Sequence, residues 1–522
     1  YKLVQVGDLE VLLVSSYGLC RESRGLQEED LLSAKAAAAM CVQVGSFSDP
    51  LEAEGLAHFL EHMVFMGSTK YPKENGYDHF VTSHGGACNA FTEGEFTVFQ
   101  FDVTCEYFRK ALDIFAQCLT APLLKMEAAA RELQAIESEF QQASVTDEVR
   151  LQQLFCHGAM DGHILRKFSW GNKRSLDTVP KERGVDMARM LHLFWKTHYK
   201  LQHMKLVVVA PKKMEELEED VRKCFELQPD LGWIDEDQSQ SQSKGKGKSQ
   251  GKSQGKSQGK GKGKSQGNKK HKANEAKAST VPADDLESQD SMLLQQHHKY
   301  GFQAVDPVSS KSLTRVVPIK AAHKLHLVWQ WPSQQRDYRK KVAHYVAHLL
   351  GHEGEGSIIA HLKHVGYASY LSAGCDMDSN FDNNSLFSLF RVTINLTSKG
   401  LSNWPYVVDT VMRYIHMTKA QGPQEWIYTE VKNIAALDYD YLDEGDEEDL
   451  ADRLCVEMCP LLSRDRMDLL PSSFLYSEYD PQAIDSAIDL LQPGNMLVTL
   501  SSSTFKGIVN TTISTGKDMG GE

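Results

Sequence analysis

The sequence predicts an α+β protein that contains two copies of one structural unit. Its 522 residues, 41% of them hydrophobic, are sufficient for two large cores. Residues 343–351 repeat the pattern of residues 57–65, so that the histidines of the two segments coincide. In each half a helix, a glycine and a β-prone run follow in the same order, and each half closes with an apolar strand, at residues 206–209 and 496–500. This order of elements indicates a duplicated α+β unit.

The first helix that the pattern strongly indicates spans residues 51–66. Ser48-Asp49-Pro50 places a capping residue and a proline at its start, and Gly67 fits a stop. Apolar residues recur along it with a helical period, so we expect the helix to be buried on much of its surface.

This helix carries the pentapeptide His58-Phe59-Leu60-Glu61-His62, which has the H-x-x-E-H order of the inverzincins. Positions i, i+3 and i+4 lie on one face of a helix. Two imidazoles one turn apart can therefore hold one metal ion, while the carboxylate beside them reaches a water at the metal. The alternative is a chance match, or two histidines that only satisfy backbone carbonyls in a buried helix.

A catalytic zinc normally has three protein ligands and one open position, so a third ligand must come from another element. A second predicted helix, at residues 125–142, contains Glu127, Glu132, Glu137 and Glu139. Glu132 and Glu139 are seven residues apart and share a face, whereas Glu137 points elsewhere. One of the pair would bind the metal and the other would orient it. By spacing alone, a solvated acidic face is an equally good explanation.

Two β-prone runs lie between these helices, at residues 87–92 and 95–103. Glu93-Gly94 joins them, which predicts a β-hairpin with glycine at the turn. A helix that begins near Pro72 and ends at Gly85-Gly86 precedes the hairpin. The residues alone favour an ordinary hairpin in which Phe91 is a core residue.

Most of the chain outside one insert resembles the M16 (pitrilysin) family of zinc metallopeptidases, and within it the branch of insulin-degrading enzyme and nardilysin. The matching segments, in order, are HFLEHMVFMGSTKYPKENGYDHF, HGGACNAFTEGEFTVFQFDV and RELQAIESEF. The resemblance implies two M16-type α/β sandwich domains, each a mixed, mainly antiparallel sheet packed by helices. It also implies a Zn²⁺ cofactor and endopeptidase activity on short unfolded peptides.

The resemblance assigns roles to the site residues. The family's third ligand is the second glutamate of R-E-x-x-A-x-x-S-E, which is Glu139 here, 139 − 62 = 77 residues after the second histidine. His58, His62 and Glu139 would hold the zinc. Glu61 would act as the general base and acid, and Glu132 would be a supporting acid of the catalytic site.

The resemblance also implies how a peptide substrate binds. The peptide would add as a strand to the edge formed by residues 87–92, which is β-augmentation. Asn89 and Ala90 would hold the peptide beside the zinc, and Phe91 would line a side-chain pocket.

The second unit resembles an inactive copy, because Ala347 stands where the first unit has Glu61. His344 and His348 are therefore expected to be buried or exposed histidines without zinc. The resemblance implies that this unit is an exosite that anchors the N-terminal end of the peptide. The exosite residues that it implies are His352, Gly354, Leu371 and Gly374.

The predicted domains are a catalytic domain (1–232), a disordered low-complexity linker (233–296), an inactive M16-like domain (297–515) and a tail (516–522). Residues 244–272 contain eleven lysines and no acid, so the rest of the chain carries a net charge of −13 − 11 = −24. A solvated linker, self-association with acidic surfaces, and binding to RNA or anionic lipid are the alternatives for this tract. No aromatic residues are interleaved with the lysines, so nucleic acid is not an expected partner.

Three features of the sequence bear on where the protein is located: its apolar runs, its cysteines and its first residue. No apolar run approaches the ~20 residues of a membrane span, and the ten cysteines show no CxxC pairing, which favours a cytoplasmic protein. The chain begins at Tyr1, so a lost targeting signal stays open.

Enzymes of the resembled branch have two further domains. The chain is therefore a fragment, a half that pairs with a separate partner chain, or a short form with an open, weak site. The alternative function is a catalytically weak or inactive peptide-binding or structural subunit that needs a partner half.

Overall fold

The first unit is built on a six-stranded sheet. The computed structural model describes residues 1–23, 25–225, 288–305, 313–442, 445–459, 461 and 464–507. The strand order is β1-β2-β6-β3-β5-β4, in which β2 and β6 are parallel and all other neighbours are antiparallel. The strands are β1 (Lys2–Val6), β2 (Leu9–Ser15), β3 (Lys35–Val42), β4 (Ala87–Thr92), β5 (Thr97–Thr104) and β6 (Met204–Ala210).

Helices cover one face of this sheet. Central strand β3 has the sequence KAAAAMCV and is buried from its second residue to its last, because its small side chains allow close packing on both faces. The α-helices of this unit are Glu28–Ser33, Leu56–Val64, Gly76–Ser83, Phe108–Thr120, Met126–Ala143, Asp147–His157, Val179–Arg183, Met187–His198 and Met214–Phe225.

The second unit repeats the plan with five strands in the order β7-β11-β8-β10-β9. Only β7 and β11 pair in parallel. The strands are β7 (Leu313–Val316), β8 (His323–Pro332), β9 (Ala368–Gly374), β10 (Phe387–Leu396) and β11 (Met496–Ser502). The α-helices from residue 288 onward are Gln289–Tyr300, Val342–Gly351, Ile358–His364, Ser398–Ser402, Trp404–Gln421, Glu425–Asp440, Glu447–Glu457 and Pro481–Leu490.

The two sheets match strand for strand, and the predicted fold of two related α+β units is confirmed. The order β2-β6-β3-β5-β4 in the first sheet corresponds to β7-β11-β8-β10-β9 in the second, with the same parallel pair at the same place. In each unit, the next strand after the helix that carries the repeated histidines lies at an edge of the sheet. This strand is β4 after helix Leu56–Val64 and β9 after helix Val342–Gly351.

The units are nevertheless not separate. Helix Glu447–Glu457, which we call the crossing helix, belongs to the second half of the chain but packs on the first sheet. Its Leu454 and Cys455 share a buried apolar cluster with Val98 of β5 and Val207 of β6. The first sheet is therefore covered on its second face by a helix that comes from the other unit.

Two predicted helix starts were wrong, and part of the predicted linker is helical. The histidine helix begins at Leu56, not at residue 51, and the helix expected from Pro72 begins at Gly76. The predicted linker 233–296 lies outside the described residues up to 287, but residues 289–296 form part of a helix, because Gln289 and Leu293 are buried against the units. The lysine tract and the tail 516–522 also lie outside the described residues. No helix in the described ranges is both long and apolar enough to cross a membrane.

Candidate active site

The site is centred on helix Leu56–Val64, which we call the motif helix. Its entry is held by Asp49, a buried carboxylate that accepts hydrogen bonds from the backbone N–H groups of Gly55 (2.7 Å) and Ala57 (2.8 Å). These bonds satisfy donors that a helix start leaves free. Gly55 has a φ of +93°, and a Cβ there would lie 2.2 Å from Cα of Gly171, so only glycine fits. Asp49 therefore caps the helix from a distance: the helix begins at Leu56, five residues after the predicted start at residue 51.

The two histidines turn the same ring nitrogen toward each other. Nδ1 of His58 lies 2.7 Å from the carbonyl oxygen of Trp170, and Nδ1 of His62 lies 3.4 Å from Oε2 of Glu132. Both partners accept hydrogen bonds, so each Nδ1–H donates to its partner, and in the neutral ring that would bind a metal ion each Nε2 offers its lone pair. The two Nε2 atoms are 3.3 Å apart.

Glu139 brings a third lone pair to the same point. Helix Met126–Ala143 packs on the motif helix, and Oε2 of Glu139 lies 3.5 Å from Nε2 of both His58 and His62. Glu137 points away and accepts a hydrogen bond from the backbone N–H of Lys173, as the spacing predicted.

The acidic surroundings favour positive charge at this point. Burial on its own lowers the pKa of His62, but hydrogen bonds with Glu132 and Glu139 outweigh burial and raise this pKa to about 10. The hydrogen bond with His62 in turn lowers the pKa of Glu139. Two imidazoles and two carboxylates thus form a centre that suits a cation.

Glu61 lies beside this centre and is only 7% exposed. The hydroxyl of Thr92, the last residue of β4, donates a hydrogen bond of 2.6 Å to its Oε2. Burial raises the pKa of Glu61, and the charge of His58 and the bond from Thr92 oppose that rise. Ligand atoms of Glu61, His58 and His62 also lie within 4.8 Å of one another, so Glu61 is close enough to act on a group bound at this centre.

A cleft of about 660 Å³ opens over the site. Its lining includes Asn89, Ala90 and Phe91 of β4, and Phe381 from the second unit. Ala90 packs against the core that also holds the motif helix, whereas Phe91 contacts the cluster on the opposite face of the sheet. Asn89 is exposed.

The exosite candidates of the second unit lie elsewhere, and none of the four lines this cleft. Leu371 and Gly374 belong to edge strand β9, and Leu371 is buried in the second core, so only its backbone faces outward. His352 and Gly354 follow helix Val342–Gly351 and lie against each other.

The histidines of the second copy lack the partners of the first. The rings of His344 and Tyr476 are 6.1 Å apart, and burial lowers the pKa of His344 to about 4. His348 is exposed, with its ring 6.1 Å from that of His352.

Three site residues have no signal in the motifs. Thr92 contacts Glu61, which is 31 residues away in the sequence. The carbonyl of Trp170 contacts His58, which is 112 residues away. Side chains two residues apart in a strand share a face, so a strand at residues 87–92 puts Thr92 on the same face as Ala90, which was the available hint. Every residue has a backbone carbonyl, so the residue type at position 170 could not indicate this contact. Lys167, also in the cleft lining, donates to the carbonyl of Phe47.

Known proteins match this chain along most of its length. Residues 26–165 match the model of the insulinase family (peptidase family M16), and residues 188–435 match that of the peptidase M16 inactive domain. The chain is 36% identical to nardilysin of Rattus norvegicus over 475 residues, which covers 91% of this chain and 35% of that protein. It is 29% identical to insulin-degrading enzyme of Homo sapiens over 498 residues, which covers 93% of this chain and 42% of that protein.

Solved structures agree on the fold. Pitrilysin superimposes with a TM-score of 0.74 at 23% identity, over 96% of this chain and 45% of that one. A protease from Helicobacter pylori has a TM-score of 0.62 at 14% identity, over 96% of this chain and 99% of that one. The chain thus spans less than half the length of the nardilysin and insulin-degrading enzyme relatives. The two consecutive family matches and the paired sheets show that this chain belongs to peptidase family M16.

Proposed function

We propose that the chain is a zinc-dependent endopeptidase unit that cleaves peptides bound in an extended conformation. The observation that carries this proposal is the convergence of His58 Nε2, His62 Nε2 and Glu139 Oε2, which lie 3.3 to 3.5 Å from one another. Ligand atoms about 2.0–2.1 Å from a tetrahedral zinc ion are about 3.3–3.4 Å apart, so the three atoms fit three of its four positions. Imidazole nitrogen and carboxylate oxygen are donors that zinc accepts.

The chemistry divides between the metal and Glu61. Bound zinc would supply Lewis acidity to the scissile carbonyl and make water a stronger nucleophile. The Glu61 carboxylate would take a proton from the attacking water and pass it to the nitrogen of the leaving amine. Its burial supports this role, because a raised pKa makes a carboxylate a better proton acceptor.

Glu132 and the Trp170 carbonyl would act through the histidines. Each accepts from an Nδ1–H, which holds the ring in the tautomer that leaves Nε2 free. We assign Glu132 to this orienting role and not to proton transfer, because its Oε2 lies next to His62.

The substrate would bind along the outer edge of β4. This strand ends the sheet, so its outer backbone groups have no strand partner in the described part of the chain. We propose that a peptide pairs with Asn89 and Ala90 there, while Phe91 contacts a side chain in the cleft. By the same reasoning the edge of β9, at Leu371 and Gly374, with His352 and Gly354 nearby, is the proposed exosite.

The longer relatives extend well beyond the matched region, so we propose that full activity needs a further half. This half would come from the same chain or from a partner. The predicted cytoplasmic location stays a prediction.

The test combines zinc analysis with cleavage of a fluorescence-quenched peptide. We expect one zinc per chain, retained in Glu61→Gln while cleavage is lost. Glu139→Gln should lose zinc, whereas Glu137→Gln, the same change on the same helix, should keep both zinc and activity. A chain that binds zinc but cleaves nothing would favour the peptide-binding subunit instead. Cleavage by Glu61→Gln at the parent rate would contradict the mechanism.

A further inference from the structure

The hydroxyl of Thr92 donates a hydrogen bond to the Glu61 carboxylate. Its hydroxyl lies 2.6 Å from Oε2 of Glu61, and no other donor among the described residues comes within hydrogen-bonding distance of that carboxylate. A hydrogen bond to a charged, buried acceptor is strong and directional. The position of the Glu61 side chain therefore depends on one hydroxyl group.

The direction of this hydrogen bond is determined by its neighbours. Thr97 faces Thr92 across the β4–β5 pair, and its hydroxyl donates to the carbonyl of Val44 at 2.8 Å. The two threonine oxygens are 3.3 Å apart, but each hydroxyl has one proton. An ionised carboxylate only accepts, so the 2.6 Å contact takes the proton of Thr92, and Thr97, whose proton is bonded to Val44, does not donate to Thr92.

Thr92 also belongs to the strand that we propose for substrate pairing. Side chains alternate along β4, so Thr92 and Ala90 face the motif helix while Asn89 and Phe91 face the other way. A peptide that pairs with the outer edge of β4 would bond to the backbone of the same six residues. A peptide that fixed the position of this backbone would therefore also fix the position of the Thr92 hydroxyl.

We infer that Thr92 is a positioning residue that couples pairing of the substrate strand to the orientation of Glu61. The inference rests on the proposed role of Glu61 as proton carrier. Among the described residues, the Thr92 hydroxyl contacts Glu61 and Thr97 and makes no hydrogen bond to His58, His62 or Glu139. Its loss should therefore affect turnover and leave both zinc content and peptide affinity nearly unchanged.

The kinetic test is Thr92→Val in the full chain, a change that removes the hydroxyl at nearly constant volume. We expect kcat to fall about 10- to 100-fold, as for loss of a hydrogen bond to a charged group, with KM nearly unchanged. Thr92→Ser should restore most of kcat. The matched control is Thr104→Val at the other end of the hairpin, where the hydroxyl donates to the carbonyl of His84. This control should behave like the parent.

A second measurement is independent of activity. In a double-mutant cycle, Thr92→Val should lower the melting temperature of the parent, and this shift should disappear in a Glu61→Ala background. An equal shift in both backgrounds, or an unchanged kcat in Thr92→Val, would overturn the inference. If the zinc-loaded parent cleaves no peptide, the proposed function fails, and the cycle alone decides whether Thr92 holds Glu61.

Discussion

Glu95 provides the sharpest stability prediction, because one buried carboxylate joins the two units. It is 1% exposed, directly after the turn of the β4–β5 hairpin. Its carboxylate accepts from the backbone N–H of Ser385 at 3.0 Å, from the hydroxyl of Ser385, and from the amide of Asn380 at 2.9 Å. Its own N–H donates to Oδ1 of Asn380. Burial raises the pKa of Glu95, and the bonds from Ser385 and Asn380 oppose that rise.

The perturbation is Glu95→Ala, which leaves three donors without this acceptor: the buried amide of Asn380 and the half-buried N–H and hydroxyl of Ser385. Each such donor costs about 1–3 kcal/mol, and relief of the buried charge offsets part of the sum, so we expect a net loss of about 3 kcal/mol. Glu95→Gln keeps one acceptor oxygen and should cost about 1–2 kcal/mol. Glu93→Gln is the matched control. Burial, with Asp376 and Asp382 nearby, raises the pKa of Glu93 to about 7, so a neutral amide should be tolerated there.

The assay is thermal unfolding together with hydrogen exchange of the Ser385 amide. Glu95→Ala should lower the melting temperature and speed this exchange, while Glu93→Gln should change neither. If Glu95→Ala melts with the parent and the Ser385 amide remains protected, the carboxylate does not anchor the units and the reasoning is wrong.

Three further predictions concern the motif helix, the crossing helix and the response to acid. Asp49→Ala should cost about 1 kcal/mol through loss of the helix cap, measured by thermal melting against Asp186→Ala, which caps another helix and should leave zinc affinity unchanged. Leu454→Ala should cost about 2–5 kcal/mol in a urea titration, because Leu454 is fully buried against the first sheet, and a smaller loss would mean that the crossing helix is dispensable. Burial lowers the pKa of His163 from 6.5 to about 4, so its contribution to stability is complete above pH 6.5 and is lost as the pH falls toward 4. His163→Gln should therefore make the fall of the melting temperature between pH 6.5 and 4 less steep, while the other buried histidines keep part of it, and an unchanged slope would contradict this prediction.

Much of the site was predictable because its parts are local. His58, Glu61 and His62 share a face of one helix by spacing alone, and Glu132 and Glu139 do so on another. The hairpin at residues 87–92 and 95–103 was predicted from alternation and the glycine turn, and it lies within a residue or two of the observed strands. The start of the motif helix was predicted too early. Residues 51–55 form a loop, and Asp49, which precedes this loop, bonds to backbone N–H groups at the true helix start.

The sequence by itself determined the chemistry-bearing residues and the duplicated unit, because helix period, strand alternation and motif spacing are properties of neighbouring residues. The tertiary structure alone decided that the Trp170 carbonyl selects the tautomer of His58, that Thr92 holds Glu61, and that the crossing helix completes the first sheet. These contacts join residues that are 31 to several hundred positions apart. Such distant pairs meet only when the whole core packs, and several of them involve a backbone carbonyl or a hydroxyl whose partner no local pattern specifies.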